Sequence, residues 1–531
     1  MARQKDAGAS GRHRRRWAGG GAVLVVGAGL VSLGAVPVGA GASVRPQASR
    51  PHAAGGTFVV ADTSSVQKLD PDVVTNFLDF QVLGQIYDQL VQYNSKLQIV
   101  PDLATSWKYS NANKVLTFQL RKGVRFDDGS TFTSANVVAS LKRAVNPKTG
   151  DASASFLANV KKIVPEGPYA VKFLLSQPDT SVLNGLTSVN LSMLSMKAMA
   201  NGTVGKKPDG TGPFVFAGWS PGNSFSMVRN THYWGGKVTL PAVKIETIPT
   251  EQSIASALEA NTVQLGLLTQ PQVANHLPSS VKVRKILDLS YRALMLQDKT
   301  GPLANVNNRR AIACAVDRKQ VLGDAVFGQG KVVGPVPLGP FASNPVSAIC
   351  ATPDLSKAKS YLQKAGDPGG FSFTAITSTD LDPSSAAQAT VVQAQLARVG
   401  IKMNIQNLAG NAYIQDWLKG QFQAAFAYNG ADPSPYTMYG RYFGKGANLG
   451  VPAGYSSASL QKLLLSGDTA ASTANQAKIW TAFGNDLTSN AVWIWLFSAF
   501  DYYATAPGVR GFTPSPTNST SLSALRSTTM G

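Results

Sequence analysis

Two hydrophobic periods alternate along this chain from Gly56 onward, and a fold built from one kind of element cannot use both. Thr57-Phe58-Val59-Val60 is a short run of strand formers, whereas Phe77, Phe80, Leu83, Tyr87, Leu90 and Val91 recur at helical spacing and predict a helix over Phe77 to Tyr93. Leu116 to Leu120 reads Leu-Thr-Phe-Gln-Leu, the period of a half-buried strand, with Asp127-Asp128-Gly129 as the turn after it. Thr133 then caps a helix whose stripe is Val137, Val138, Leu141 and Ala144 or Val145, until Asn146-Pro147 stops it. Further strands are expected over Ala170 to Leu175, Phe225 to Arg229, Lys244 to Pro249 and Tyr291 to Leu296. Helices are expected over Gln252 to Ala260, Arg309 to Val321, Leu355 to Lys364, Ser385 to Val399 and Gln476 to Leu487. A chain that keeps switching period builds mixed α/β layers.

With 531 residues, 44% of them hydrophobic and 15% charged, there is enough apolar material for more than one core, so more than one lobe is expected. The formal net charge is +20, of which residues 1 to 42 supply +5 (six basic residues against Asp6), leaving +15 downstream. That excess is dispersed in single residues and pairs such as Lys161-Lys162 and Arg309-Arg310, without the basic run that tracks a phosphate backbone, so no nucleic-acid partner is expected.

The N-terminus reads as a targeting segment. Arg12 to Arg16 is a positive entry, Ala18 to Val38 carries no charge, and Ala40-Gly41-Ala42 has the small-x-small form of a signal-peptidase site. The apolar stretch to Gly41 is also long enough to span a bilayer if it is not cleaved. Ser43 to Gly55 is a Pro, Ala and Gly linker without periodicity. The two cysteines, Cys314 and Cys350, lie in the exported part, where an oxidising compartment permits either a disulfide or two buried thiols; the bridge is the expectation.

Signals of covalent chemistry are weak. Gly218-Trp219-Ser220-Pro221-Gly222 matches the nucleophile-elbow pattern, but Pro221 has no N–H to offer an oxyanion hole and Pro221-Gly222-Asn223 reads as a turn. Gly210-Thr211-Gly212-Pro213 begins like a dinucleotide fingerprint, but Pro213 and a missing third glycine leave it a tight turn before a strand. His232 and His276 stand apart from each other and from the cysteines, so no metal site and no cofactor are expected.

One constellation is specific. Leu103-Ala104-Thr105-Ser106-Trp107, a strand, Leu120-Arg121-Lys122-Gly123-Val124-Arg125-Phe126, the turn Gly129 and the helix start Ser134-Ala135-Asn136-Val137 together resemble the large peptide and nickel class (family 5) of extracellular solute-binding proteins of ABC importers, among them dipeptide and oligopeptide receptors. The resemblance continues through Gly210 to Phe214, Arg229-Asn230-x-x-Tyr233-Trp234, Asn308 to Arg318, Tyr361-Leu362 to Ala365-Gly366 and Gln395 to Ile401. It departs at Asn261-Thr262-Val263-Gln264, where the family has acidic residues. Most of these residues suit a structural role: Trp107, Phe126 and Trp234 as core anchors, Gly123, Gly129 and Gly400 at positive φ.

The resemblance implies an α/β, two-lobed periplasmic-binding-protein-like fold of the large class, with an extra subdomain in lobe I and the ligand cleft between the lobes. It places lobe I at 56–268 with an inserted subdomain at about 81–190, lobe II at 269–497, and a C-terminal return to lobe I at 498–531. It implies an exported receptor, extracellular or envelope-associated at the outer face of the cytoplasmic membrane, which binds an oligopeptide or dipeptide and delivers it to the membrane permease without covalent chemistry. An oligosaccharide or metal-chelate binder is the alternative within the family, and an exported hydrolase the alternative outside it. In the peptide-binding members an aspartate pairs with the peptide's free amino group, and counting from Gly420-Gln421-Phe422 puts Asp432 there; Asp432-Pro433 also reads as a plain turn dipeptide. Tyr428, Asn429, Gly430, Tyr413, Trp417 and Tyr436 form an aromatic and polar stretch around it, suited to ligand contact or to core packing.

Overall fold

The computed structural model describes residues 56–151, 153–179, 181–335, 349–430, 433–470 and 473–531. The signal and linker expected over 1–42 and 43–55, and Asp432, lie outside these residues. No helix among the described residues is long and apolar enough to cross a membrane.

A mixed α/β body is built on one long sheet. Thr57–Asp62 lies between Ala242–Thr247 and Leu265–Leu268, parallel to both, and the antiparallel hairpin Phe214–Ser220 and Ser224–Arg229 extends one edge. At the other end Lys402–Asn407, Ser372–Thr377 and Ala424–Asn429 run parallel, followed by the antiparallel Tyr291–Leu296. The two halves are joined by Trp493–Thr505. Its first residues pair with Tyr291–Leu296 and its last with Leu265–Leu268 and Lys282–Leu287. Between the pairs Leu287↔Phe500 and Arg292↔Phe497 one chain takes five steps and the other three, so the ladder is irregular where the sheet passes from one half to the other.

A separate four-stranded antiparallel sheet, Ala104–Ser110, Val115–Leu120, Ala170–Leu175 and Val160–Pro165, has its own core around Phe118, Phe126, Phe132, Val137, Leu141 and Phe173. The helix Ser134–Ala144 covers it, started by Asn136, whose side-chain oxygen accepts the Thr133 N–H at 3.0 Å. Of the expected core anchors, Phe126 is buried, while Trp107 and Trp234 are half-buried against the same core. Trp234 donates its indole N–H to Asp88 at 2.8 Å under the Arg121 guanidinium, 4.2 Å from the ring centre. Gly123, Gly129 and Gly400 all have positive φ.

Two predicted helices differ from the structure. The helix expected over Phe77 to Tyr93 ends at Leu83, and Val91–Tyr93 is a strand. Gly84 caps it, and the carbonyls of Gln85 and Ile86 accept from Phe214 and Gly212 at 3.0 and 2.8 Å. This close approach explains Gly210 and Gly212: a Cβ at either would lie within 2.7 Å of that backbone. The helix expected over Arg309 to Val321 is two, Val306–Ala315 and Arg318–Val326, because Asp317 turns out of the first and caps the second, accepting from Lys319 and Gln320. Gly218 to Gly222 lies on the hairpin, with Ser220 ending one strand and no helix following it, so the elbow is not formed. Cys314 and Cys350 are joined in a disulfide.

Candidate functional site

The stretch predicted to meet ligand is carried by the strand Ala424–Asn429 and the helix Pro435–Phe443, which Ser434 caps by accepting from Tyr436 N–H at 3.2 Å. Alternation along the strand sends Phe426 to one side of the sheet and Ala425 and Ala427 to the other, and the strand ends where the sheet meets lobe I. There Tyr428 leaves the core. Its ring lies 5.1 Å from that of Phe77, at the start of the lobe I helix Phe77–Leu83. Gly430 is held as tightly: a Cβ there would lie 2.5 Å from Cε1 of Phe77, and its carbonyl accepts from Arg441 at 3.2 Å. Tyr436 packs against the core of the four-stranded sheet and the lobe II core alike. Tyr428, Gly430 and Tyr436 thus form a seam between the lobes.

The remaining predicted residues are placed differently. Asn429 is buried, accepting from the Tyr442 hydroxyl at 3.0 Å. Tyr413 is buried within lobe II, where its hydroxyl donates to the Phe426 carbonyl at 2.7 Å, so this aromatic packs in the core and does not face lobe I. Trp417 is half-buried, with its N–H 3.4 Å from the Met295 sulfur and its ring edge-on to Tyr442, again inside lobe II. Asp432 lies outside the described residues.

A buried charge cluster below the seam went unread in the sequence. Arg292, 4% exposed, stacks its guanidinium 4.0 Å from the Tyr428 ring centre and directs Nε to Asp382 at 3.4 Å. Tyr428 donates to Asp288 at 3.3 Å, and Asp501 stands on the crossing strand. Burial pushes the Asp288 and Asp501 carboxyls up; the Asp288 charge pushes Asp501 further, and Arg292 opposes both shifts. Burial works against the Arg292 charge, but Asp382 first, then Tyr428, Asp501 and Asp288, hold it protonated. Nη1 of Arg292 and Oδ1 of Asp501 have no hydrogen-bond partner among the described residues. The cluster sits between the strands Lys282–Leu287 and Tyr291–Leu296, at Asp288 to Ser290, and on the strand Trp493–Thr505 that pairs with both. A legible signal did exist: Arg292 and Asp501 are single charges inside the apolar strand runs Tyr291–Leu296 and Trp493–Thr505, and a charge there must be buried against a partner or a ligand.

The arrangement sets aromatic side chains and a glycine over a buried polar cluster where the two halves of the long sheet meet. Among the described residues no nucleophile and base pair is assembled along the seam. Comparisons with known proteins agree with that architecture. The probable D,D-dipeptide-binding periplasmic protein DdpA of Escherichia coli (strain K12) is 27% identical over 479 residues, 86% of this chain and 92% of that protein. The ABC transporter-associated periplasmic binding protein DppA from Helicobacter pylori, in complex with peptide STSA, superposes with a TM-score of 0.81 at 26% identity, covering 90% of this chain and 98% of that one. The PBP AgaA from A. tumefacien R10, in complex with agropinic acid, gives 0.81 at 25% identity, covering 90% and 99%. Residues 98–450 match the family model described as bacterial extracellular solute-binding proteins, family 5 middle. A two-lobed α/β body and this sequence match place the chain in one group: it belongs to family 5 of the bacterial extracellular solute-binding proteins.

Proposed function

We propose that this protein is an exported receptor that takes a short peptide into the cleft between its lobes and hands it, unaltered, to an ABC permease at the outer face of the cytoplasmic membrane. The observation that carries this is the seam itself. Phe77 on lobe I meets Tyr428 and Gly430 on lobe II, so the walls of the cleft touch over a buried, charged floor. Such a site gains affinity by closing, and a permease that recognises the closed form reads occupancy from it. The lobes turn about the two crossings, Asp288 to Ser290 and Ser498 to Phe500. A peptide's backbone suits the strand ends at the cleft, and its termini suit the charges there. The relatives named for dipeptides and the structure holding STSA support a peptide. The AgaA likeness favours a second reading, a small organic acid.

Asp432 is the residue we assign to the peptide's amino group. In the peptide reading, native mass spectrometry of the purified protein finds a co-purified peptide, and peptides raise the melting temperature by mass action. Asp432→Ala then removes peptide binding while leaving affinity for a neutral sugar little changed. Peptides cleaved on incubation, or no thermal response to any peptide, overturn this reading.

A further inference from the structure

Closure leaves one part of the interlobe seam unfilled. A cavity of about 160 Å³ lies between the lobe I hairpin Val91–Tyr93 and Ile99–Pro101 on one side and the lobe II helices Ala458–Thr469 and Thr473–Ser489 on the other. That is roughly ten times the room one water needs, enough for an amino-acid side chain. Because both lobes form its walls, the cavity exists only when they are shut, and whatever fills it adds to the stability of the closed form.

The chemistry of the walls is one-sided. Asp468 from lobe II is 3% exposed and accepts from Asn184 of lobe I at 3.4 Å; Asn184 in turn accepts from the Tyr93 hydroxyl at 3.1 Å. Trp480 gives an aromatic wall, its ring seated against Gly467, where a Cβ would lie 2.6 Å from the indole. Leu97, Ile99, Pro433, Ser434 and Gln476 complete the lining, and among the described residues no lysine, arginine or histidine lines the space. Two neighbouring phenols register the field: burial pushes Tyr109 and Tyr436 up, and the charges of Asp468 and Asp179 push both further. A buried carboxylate beside an indole in a recess only partly open to solvent favours a cation, which gains a charge-assisted hydrogen bond and an aromatic contact together.

We propose that this cavity is a side-chain subsite for a basic residue of the bound solute, its ammonium or guanidinium held by Asp468 and the Asn184 side-chain oxygen against Trp480. The proposal rests on the peptide reading above, and its test separates the two. Titration calorimetry on the full exported chain uses tripeptides of alanine carrying lysine, norleucine or glutamate at each position in turn. At one position lysine should bind roughly tenfold or more tighter than norleucine, and glutamate weaker than both. Asp468→Asn should bring the lysine to norleucine ratio to near one. Gln476→Lys, which supplies an ammonium from the rim, should do the same and serves if Asp468→Asn does not fold. Tripeptides that bind without a lysine preference, or a preference that survives both substitutions, overturn the subsite and leave the peptide reading standing; no binding of any tripeptide overturns both.

Discussion

Gly430→Ala asks whether the contact between the lobes is an equilibrium the ligand exploits. A Cβ at position 430 would lie 2.5 Å from Cε1 and 2.9 Å from Cζ of Phe77, whereas carbon atoms in contact sit ~3.5–4.0 Å apart. The new methyl must therefore gain about 1 Å. The Phe77 ring is held against Tyr428, 5.1 Å between centroids, so parting the lobes is the direct relief. Overpacking of this size costs about 1–3 kcal/mol. At about 1.4 kcal/mol per factor of ten, the closed-to-open ratio falls roughly 5- to 150-fold. Apparent affinity drops by that factor where the closed form is a minor species, and by less where it dominates. Small-angle scattering should show a larger radius of gyration without ligand, and calorimetry a weaker ligand. In a Phe77→Ala background the second substitution should have no further effect, because its clash is gone. Unchanged scattering and affinity for Gly430→Ala, or the same loss in the Phe77→Ala background, would refute the reasoning.

Three further outcomes follow from buried charge and the cross-link. Arg292→Met leaves Asp382, Asp288 and Asp501 buried without their guanidinium, which should cost about 3–5 kcal/mol near neutral pH. Because burial raises the Asp288 and Asp501 carboxyls, the drop in melting temperature should be smaller at pH 5 than at pH 8; an equal drop at both would assign the loss to packing over Tyr428 alone. Burial first, then the Asp72 charge, pushes Asp151 up to about 8, so the folded state holds this proton more tightly than the unfolded chain. Its contribution is complete below the ordinary carboxyl range and is lost as pH rises to about 8. Asp151→Asn can keep the Ser153 N–H bond and should raise the melting temperature at pH 8 to 9, with the gain fading by pH 5; a gain independent of pH would refute the shift. Reducing the Cys314–Cys350 bridge, whose cysteines stand 36 residues apart, should remove about 3–4 kcal/mol by the loop-closure model, read as a lower melting midpoint in dithiothreitol; an unchanged midpoint would deny the bridge a stabilising role.

How far the primary structure carries can be seen element by element. The strands Val115–Leu120, Ala170–Leu175 and Tyr291–Leu296 and the helices Ser134–Ala144 and Ser385–Ala397 were legible because periodicity and capping act within about ten residues of chain. The long motif from Leu103 to Val137 identified the family because its glycines and aromatics answer to local backbone and core demands. The helix expected past Leu83 was misread because what ends it is a distant segment: Gly212 and Phe214 bond to the carbonyls of Ile86 and Gln85. Periodicity within the segment carries no trace of that partner. The break at Asp317 could have been read, since an aspartate two residues before two free N–H groups is a local cap.

The candidate site divides in the same way. Sequence by itself determined an α/β chain of this family and drew attention to the aromatic stretch near residue 430. It could not say which aromatics face the other lobe, because Tyr413 and Tyr428 are alike in type and differ only in whether the hydroxyl finds a carbonyl of its own lobe or the Asp288 carboxylate at the crossing. Tertiary structure decided that. It also brought Asp288, Arg292, Asp382, Tyr428 and Asp501 into one cluster, and Asn184 and Asp468 to opposite walls of one cavity, from positions up to 284 residues apart. Desolvation and Coulomb energy depend on distance in space, and chain order does not encode it until the lobes have folded and met.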